Sequence, residues 1–133
     1  MVSPPSELDA LAPLLRRAGA AALQRFRNAP GRRKRDGTLV TEADLAVEEI
    51  LLEGLQGLFP KDGVCGEEGT RVAGEEATWY LDPIDGTSSY VEGLAYWGVA
   101  IARVDAGGTA LGAYYLPRLD ELWFAARGRG GWR

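Results

Sequence analysis

The sequence predicts one α+β domain in which two N-terminal helices pack on a mostly antiparallel sheet. With 133 residues, 46% hydrophobic and 26% charged, the chain has the size and composition of a single globular domain. Apolar residues at helical spacing fill the first part of the chain, and short strand-like runs separated by turn residues fill the rest. Helices followed by strands, rather than alternating with them, favour this fold class.

Two segments have the apolar spacing of amphipathic helices. The first lies within residues 6–28. We expect its regular part to begin near Ala10, because Pro13 would then fall in the first turn, where proline is tolerated. The second begins after Thr41, the predicted N-cap, and ends at Pro60.

The remaining segments are shorter, and turn residues separate them. They are a basic loop at 29–38, a short strand leading into a glycine-flanked turn at 63–69, a polar loop at 70–76, strands at 77–82, 96–103, 109–116 and 121–126, and a glycine-rich final turn, "RGRGGWR". Residues 105–108 and 117–121 are typical hairpin turns, so the last three strands are predicted to form an antiparallel meander.

Composition excludes several classes of function. The chain has no histidine, which excludes Ser-His-Asp nucleophile systems and His-ligated zinc sites. Its single cysteine, Cys65, excludes an internal disulfide. No apolar run approaches the ~18 residues that a membrane span needs, and the N-terminus lacks a signal-peptide pattern. We therefore expect a cytoplasmic protein with no membrane partner.

Acidic side chains are concentrated in the middle of the chain. Residues 41–95 carry thirteen acidic and two basic side chains, a net charge of −11 within a chain whose net charge is −4. Such a concentration attracts divalent cations and repels nucleic acid. We therefore expect no nucleic-acid partner.

The stretch "WYLDPIDGT", residues 79–87, ends an apolar strand with two carboxylates three residues apart. Asp82 and Asp85 should repel each other unless something compensates for their charge. Carboxylates and the intervening backbone carbonyl of Ile84 are the hard oxygen ligands that Mg²⁺ prefers. A tight turn or helix start at residues 86–87 would aim backbone N–H groups at an anion. The pattern indicates a cation and a phosphate side by side.

Each acidic residue also has a purely structural interpretation. Asp44 could be the partner of Thr41 in a capping box. Glu67 could be a surface residue of its loop, and Asp82 and Asp85 could be turn formers, since Asp-Pro and Asp-Gly are turn dipeptides. The joint occurrence of all of them favours a functional site.

The segment "WYLDPIDGTSSYVEGLAYWGVAIA", preceded by "GEEG" and "LVTEADLAVEE", resembles the inositol monophosphatase family. The resemblance implies an α/β layered sandwich and a Mg²⁺-dependent, lithium-sensitive phosphomonoesterase. It covers nearly the whole chain but only the N-terminal half of the family's length. Residues 1–133 are therefore expected to form the N-terminal metal-binding domain of such a protein, in truncated form, with the C-terminal domain absent.

The resemblance implies a set of metal ligands. Glu67 resembles the ligand to a first metal, Asp82 the ligand that bridges two metals, and Asp85 a ligand to the second. The backbone carbonyl of Ile84 and the hydroxyl of Thr87 complete the implied set. The family's further aspartate, in a "WD" motif, has no counterpart here, so the second metal site is expected to be incomplete.

The resemblance also implies roles in catalysis and phosphate binding. Asp44 resembles the carboxylate that pairs with Thr87, and together with Glu67 these residues are implied to position the attacking water. Asp85, with the backbone of Gly86 and Thr87, is implied to bind phosphate.

The implied reaction is hydrolysis of a small phosphate monoester, such as inositol monophosphate, by metal-activated water. Mn²⁺ is expected to substitute for Mg²⁺, and Li⁺ to inhibit. Lys34 matches a lysine on the family's mobile loop. Histidinol phosphate and other phosphorylated metabolites are alternative substrates, since "GTSSYVEG" lacks the "TTNF"-like motif of inositol-type members. A non-catalytic fragment, a homo-oligomer and a half-enzyme that associates with a separate C-terminal half also stay open. We expect the chain alone to have little activity.

Overall fold

The structure is a computed structural model, and it describes residues 3–27, 32–33 and 39–133. The helices are α1 (Ser6–Arg25), α2 (Glu42–Leu58) and α3 (Thr87–Val91). The strands are β1 (Arg32–Arg33), β2 (Leu39–Val40), β3 (Gly63–Gly66), β4 (Arg71–Val72), β5 (Thr78–Asp85), β6 (Gly98–Asp105), β7 (Gly108–Leu116), β8 (Glu121–Ala126) and β9 (Gly130–Trp132).

The main sheet confirms the predicted α+β fold. Within the described ranges it has seven strands in the order β4-β3-β5-β6-β7-β8-β9, of which only the β3–β5 pair is parallel. The meander β6-β7-β8 has the predicted hairpins, because each turn joins two strands that are adjacent in the sheet. Strands β1 and β2 form a separate two-stranded pair.

Helix α1 begins earlier than predicted. It starts at Ser6 rather than near Ala10, and Pro13 lies inside it. Proline removes the N–H that would bind the carbonyl of Asp9. Pro13 is exposed, so water can bind that carbonyl, while the opposite, apolar side of the helix continues through buried Leu11. No described helix is both long and apolar enough to cross a lipid bilayer.

Strands also occur where loops were predicted. The polar loop at 70–76 contains β4, the basic loop at 29–38 contains β1, and the final turn contains β9. Strands of two or three residues are too short to give a period-two pattern, and pairing with a neighbouring strand defines them. Strand β5 extends three residues beyond its predicted end, and a register shift between Asp82 and Asp85 accommodates the proline.

Helices α1 and α2 cover one face of the main sheet. Alternation along β5 directs Trp79 and Leu81 toward the helices, where both are buried, and directs Tyr80 away from them. The core contains Leu11, Leu15, Ala18, Val47, Leu51, Leu55, Trp79, Leu81, Val99, Ile101, Tyr115 and Phe124, among others. Burying this apolar surface is the main favourable contribution to folding.

The opposite face of the sheet, which we call the open face, has no helix against it within the described residues. One row across it runs through Asp82, Ala100, Tyr114 and Trp123, which are successive partners in the sheet register. Trp123 is 46% exposed, and Tyr80, on the same face, is 49% exposed. The residues of the opening motif therefore lie where β5 ends, beside this face.

A partly buried ion pair lies at the other end of β5. The carboxylate of Asp62 accepts hydrogen bonds from Arg103 Nε at 2.6 Å, from a second Arg103 nitrogen at 3.0 Å and from Trp79 Nε1 at 2.9 Å. Such bidentate pairing is strong and directional. It ties the start of β5 to β6 at the end of the sheet away from Asp82.

Candidate metal and phosphate site

The end of β5 places the predicted aspartates beside the first turn of α3. Gly86, between strand and helix, has a φ of +84°, a left-handed conformation that glycine adopts without steric cost. Thr87 is therefore the first residue of α3, and its side chain turns back toward β5. This is the tight strand-to-helix transition that the sequence predicts.

Asp44 contacts both Thr41 and Thr87. Its Oδ2 accepts hydrogen bonds from the backbone N–H of Thr41 at 2.8 Å and from the Thr41 hydroxyl at 2.7 Å, which completes the capping box of α2. Its Oδ1 lies 3.3 Å from the hydroxyl of Thr87. Asp44 is only 1% exposed. Burial raises the pKa of its carboxyl, and the hydrogen bonds from Thr41 and Thr87 oppose that rise.

The hydroxyl of Thr87 lies between two acceptors. Its Oγ1 is 3.0 Å from the carbonyl oxygen of Ile84 and 3.3 Å from Asp44 Oδ1. A hydroxyl has one proton, so it donates to one of these groups at a time. Asp44, Ile84 and Thr87 therefore lie together, although Asp44 comes from a helix more than forty residues away in the chain.

Glu67 reaches the same place from the turn after β3. Its backbone N–H donates to the carbonyl oxygen of Leu81 at 3.1 Å, which places Glu67 beside Asp82. The two side chains also interact, because the carboxylate of Glu67 contributes to the raised pKa of Asp82. Lys34, predicted for a mobile loop, lies outside the described residues.

Asp82 is in an unfavourable environment for a negative charge. Burial, then the adjoining carboxylate of Glu67, then that of Asp85, raise the pKa of Asp82 to about 8. Its Oδ1 is buried and has no hydrogen-bond partner among the residues that the structure describes. Buried polar atoms are nearly always paired, so an unpaired carboxylate oxygen beside two further carboxylates is a strong signal for a bound cation.

The donor set fits a hard cation such as Mg²⁺. All the candidate ligand atoms are oxygens: the carboxylates of Glu67, Asp82 and Asp85, the Ile84 carbonyl and the Thr87 hydroxyl. Within the described ranges, no three acidic or cysteine side chains form a metal-binding group by themselves. The neutral oxygens and retained water would therefore have to complete any coordination shell, as is usual for Mg²⁺.

A buried carboxylate that the sequence reasoning missed supports the turn bearing Glu67. Glu48, one helical turn after Asp44, is 3% exposed. Its two oxygens accept the backbone N–H groups of Glu68 at 2.7 Å and Thr70 at 2.9 Å. The available signal was its position on the apolar stripe of α2, where an unpaired acid is unfavourable.

A second missed residue, Tyr114, contacts Asp85. The hydroxyl of Tyr114 on β7 donates a hydrogen bond of 2.7 Å to Asp85 Oδ2. Burial, followed by this hydrogen bond and the charge of Asp85, raises the pKa of Tyr114, so the phenol stays a neutral donor. No local pattern indicates this contact, because the two residues are 29 positions apart.

Comparison with known proteins identifies relatives of this chain. The chain matches the model of the inositol monophosphatase family over residues 5–133. It is 42% identical over 124 residues to a histidinol-phosphatase of Chlorobaculum parvum, covering 88% of this chain and 46% of that protein. It is 43% identical over 100 residues to a histidinol-phosphatase of Mycobacterium tuberculosis, covering 73% of this chain and 38% of that protein.

Solved structures of other proteins have the same fold as this chain. An IMPase of Thermotoga maritima matches with a TM-score of 0.87 and 29% identity, over 96% of this chain and 51% of that chain. An IMPase/NADP phosphatase complexed with Mg²⁺ and phosphate matches with a TM-score of 0.80 and 25% identity, over 95% and 50%. The chain thus spans about half the length of the proteins it matches. Fold, motif and relatives agree, and the chain belongs to the inositol monophosphatase family, a family of phosphatases.

Proposed function

We propose that residues 1–133 supply the metal- and phosphate-binding half of a Mg²⁺-dependent phosphomonoesterase. The observation that carries this proposal is the buried, unpaired Oδ1 of Asp82 beside the carboxylates of Glu67 and Asp85. This arrangement needs positive charge. When bound there, Mg²⁺ would polarise phosphoryl oxygens and acidify a coordinated water.

The candidate ligands divide into two groups that share Asp82. A first cation would be held by the oxygens of Glu67, Asp82, Ile84 and Thr87. A second would be held by Asp82 and Asp85, with water or another part of the protein completing its shell. The register shift in β5 supports this division, because it changes the direction of the backbone between the two aspartates.

Asp44 and Thr87 would orient a water molecule together. A carbonyl oxygen that ligates a cation loses electron density to it and becomes a poorer acceptor for the Thr87 proton. If that carbonyl turns to a cation, the Thr87 proton goes to Asp44, which lies 3.3 Å away. The lone pairs of Thr87 Oγ1 would then be available to a cation or a water molecule. Capping-box bonds hold Asp44 in place for this role.

Phosphate would lie at the turn between β5 and α3. The first N–H groups of a helix have no carbonyl partner within it. The backbone N–H groups of Gly86 and Thr87 are at this position, next to the candidate cation ligands. Neutralising cations and N–H donors on adjacent sides suit a phosphate monoester dianion.

The substrate proposed first is histidinol phosphate. The support is the 42–43% identity to two histidinol-phosphatases, each matched over most of this chain. Inositol monophosphate is the second candidate, supported by the matching family. We expect Mn²⁺ to replace Mg²⁺ and Li⁺ to inhibit, as the family resemblance implies.

The proposed partner is a polypeptide equivalent to the rest of the family's length. The open face supports this proposal, since Tyr80 and Trp123 expose aromatic surface on it. A second copy of the chain is the alternative occupant.

Phosphate release from the two substrates tests the proposal. The chain would be assayed with Mg²⁺, alone and mixed with the part of the Chlorobaculum parvum histidinol-phosphatase that it does not match. We expect little turnover alone, turnover in the mixture, and none with Asp82→Asn. Equal turnover with Asp82→Asn would contradict the assignment of the site. Unaided turnover at roughly 1 to 10³ per second would show that no separate partner is needed.

A further inference from the structure

The contact between Tyr114 and Asp85 joins the open face to the candidate metal site. Tyr114 lies on β7, two strands away from β5, in the row that contains Asp82 and Ala100. Its hydroxyl reaches sideways along the sheet to Asp85 Oδ2 at 2.7 Å. A tyrosine that simply covered the sheet would not need to reach a carboxylate at the strand's end.

The side chain of Tyr114 crosses β6 at Gly98, a residue without a side chain. Gly98, the partner of Asp85 in the register of β6, lies under the Tyr114 ring. A Cβ at residue 98 would approach the ring's Cζ to 2.6 Å and its hydroxyl oxygen to 2.8 Å, closer than carbon atoms normally pack. The absence of a side chain at Gly98 therefore allows the ring to pass over β6 to Asp85.

Asp85 needs a constraint of this kind. It is exposed, and it lies beside the like charge of Asp82, which Glu67 also adjoins. An exposed carboxylate with negative neighbours would otherwise rotate toward solvent. A neutral phenol hydroxyl donates a hydrogen bond to one oxygen, limits the rotamers of the side chain and leaves the second oxygen able to bind a cation.

We propose that Tyr114 is a positioning residue that holds the Asp85 carboxylate toward a divalent cation at the end of β5. This inference rests on the proposed function, because it requires a metal site that includes Asp85. It adds the residue that orients this ligand, and it assigns Gly98 the role of admitting the tyrosine ring.

Tyr114→Phe, with Tyr115→Phe as a matched control, tests the inference through metal binding rather than activity. Tyr115, the next residue, donates its hydroxyl at 2.9 Å to Asp120, but it is buried on the face that the helices cover. Each variant removes one hydroxyl that donates a hydrogen bond to an aspartate. Mn²⁺ titrations of the full chain, followed by electron paramagnetic resonance, would be made for each variant. Melting temperatures without metal would be measured in parallel.

Tyr114→Phe is expected to weaken binding of the more weakly held Mn²⁺ by about tenfold or more, because a metal ligand loses its hydrogen-bond donor. Tyr115→Phe should leave the Mn²⁺ affinity unchanged. In an Asp85→Asn background, Tyr114→Phe should have no further effect, because Tyr114 acts through Asp85.

Three results would overturn the inference, and they have different meanings. Unchanged Mn²⁺ affinity in Tyr114→Phe would reject it while the metal site stands. An equal loss in the Asp85→Asn background would show that Tyr114 acts through the fold and not through Asp85. A wild-type chain that binds no Mn²⁺ would reject the proposed function and this inference together.

Discussion

Replacing Asp82 by asparagine should stabilise the metal-free chain at neutral pH. Asparagine has the shape of the protonated carboxyl and never carries its charge. The pKa of Asp82 is raised to about 8, first by burial and then by Glu67 and Asp85. An unfolded aspartate titrates near pH 4. Below about pH 4 Asp82 is protonated in both the folded and the unfolded chain, and its burial causes no loss of stability through ionisation. As the pH rises from about 4 toward 8, the unfolded chain loses this proton more readily, so the free energy of unfolding falls.

The size of the effect follows from that difference in pKa. One pKa unit corresponds to about 1.36 kcal/mol, so the raised pKa of Asp82 lowers the free energy of unfolding at pH 7 by at most about 4 kcal/mol. Glu67 and Asp85 are exposed, and solvent screens their charges. We therefore expect Asp82→Asn to raise the free energy of unfolding by about 1–2 kcal/mol, an increase of about 3–8 °C in melting temperature.

Thermal unfolding followed by circular dichroism, with a chelator present, measures this effect at pH 5 and pH 8. The gain should be small at pH 5 and larger at pH 8, and Mg²⁺ should stabilise the wild type more than the variant. Glu49→Gln is a control, because it removes an exposed carboxylate from α2 outside the site. A variant that is less stable than the wild type at pH 8 would show that the charge of Asp82 does not destabilise the metal-free chain.

The remaining predictions concern the residues around Asp82. Glu67→Gln should lower Mn²⁺ affinity in calorimetry far more than Glu68→Gln; the reverse order would mean that the wrong glutamate of "GEEG" was assigned. Glu48→Gln should lower the free energy of unfolding in urea by about 1–3 kcal/mol, because it weakens charge-assisted hydrogen bonds to two backbone N–H groups. Thr41→Ala should cost about 1 kcal/mol through loss of the capping box, and an unchanged urea midpoint would contradict that role.

Features with local causes could be predicted from the sequence. Thr41 caps α2 because its partner, Asp44, is three residues away, and the β6-β7-β8 meander forms around short turns. The strand-to-helix transition at Gly86 was also predictable, since its conformation depends on that one residue.

Features that depend on distant contacts could not be predicted in this way. Glu48 binds the turn twenty residues later, and Tyr114 reaches Asp85 across β6. The early start of α1 depends on the exposure of Pro13, which only the packing of the helix decides. In each case, tertiary placement rather than local preference determines the outcome.

A crystal structure of the chain grown with Mn²⁺ would show whether a cation binds at the end of β5, because Mn²⁺ can be located by its anomalous scattering. We expect an anomalous peak within coordination distance of Asp82 Oδ1, with oxygens of Glu67 and Ile84 also bound. A structure with no peak there, and with Asp82 Oδ1 hydrogen-bonded to another protein group, would contradict this expectation.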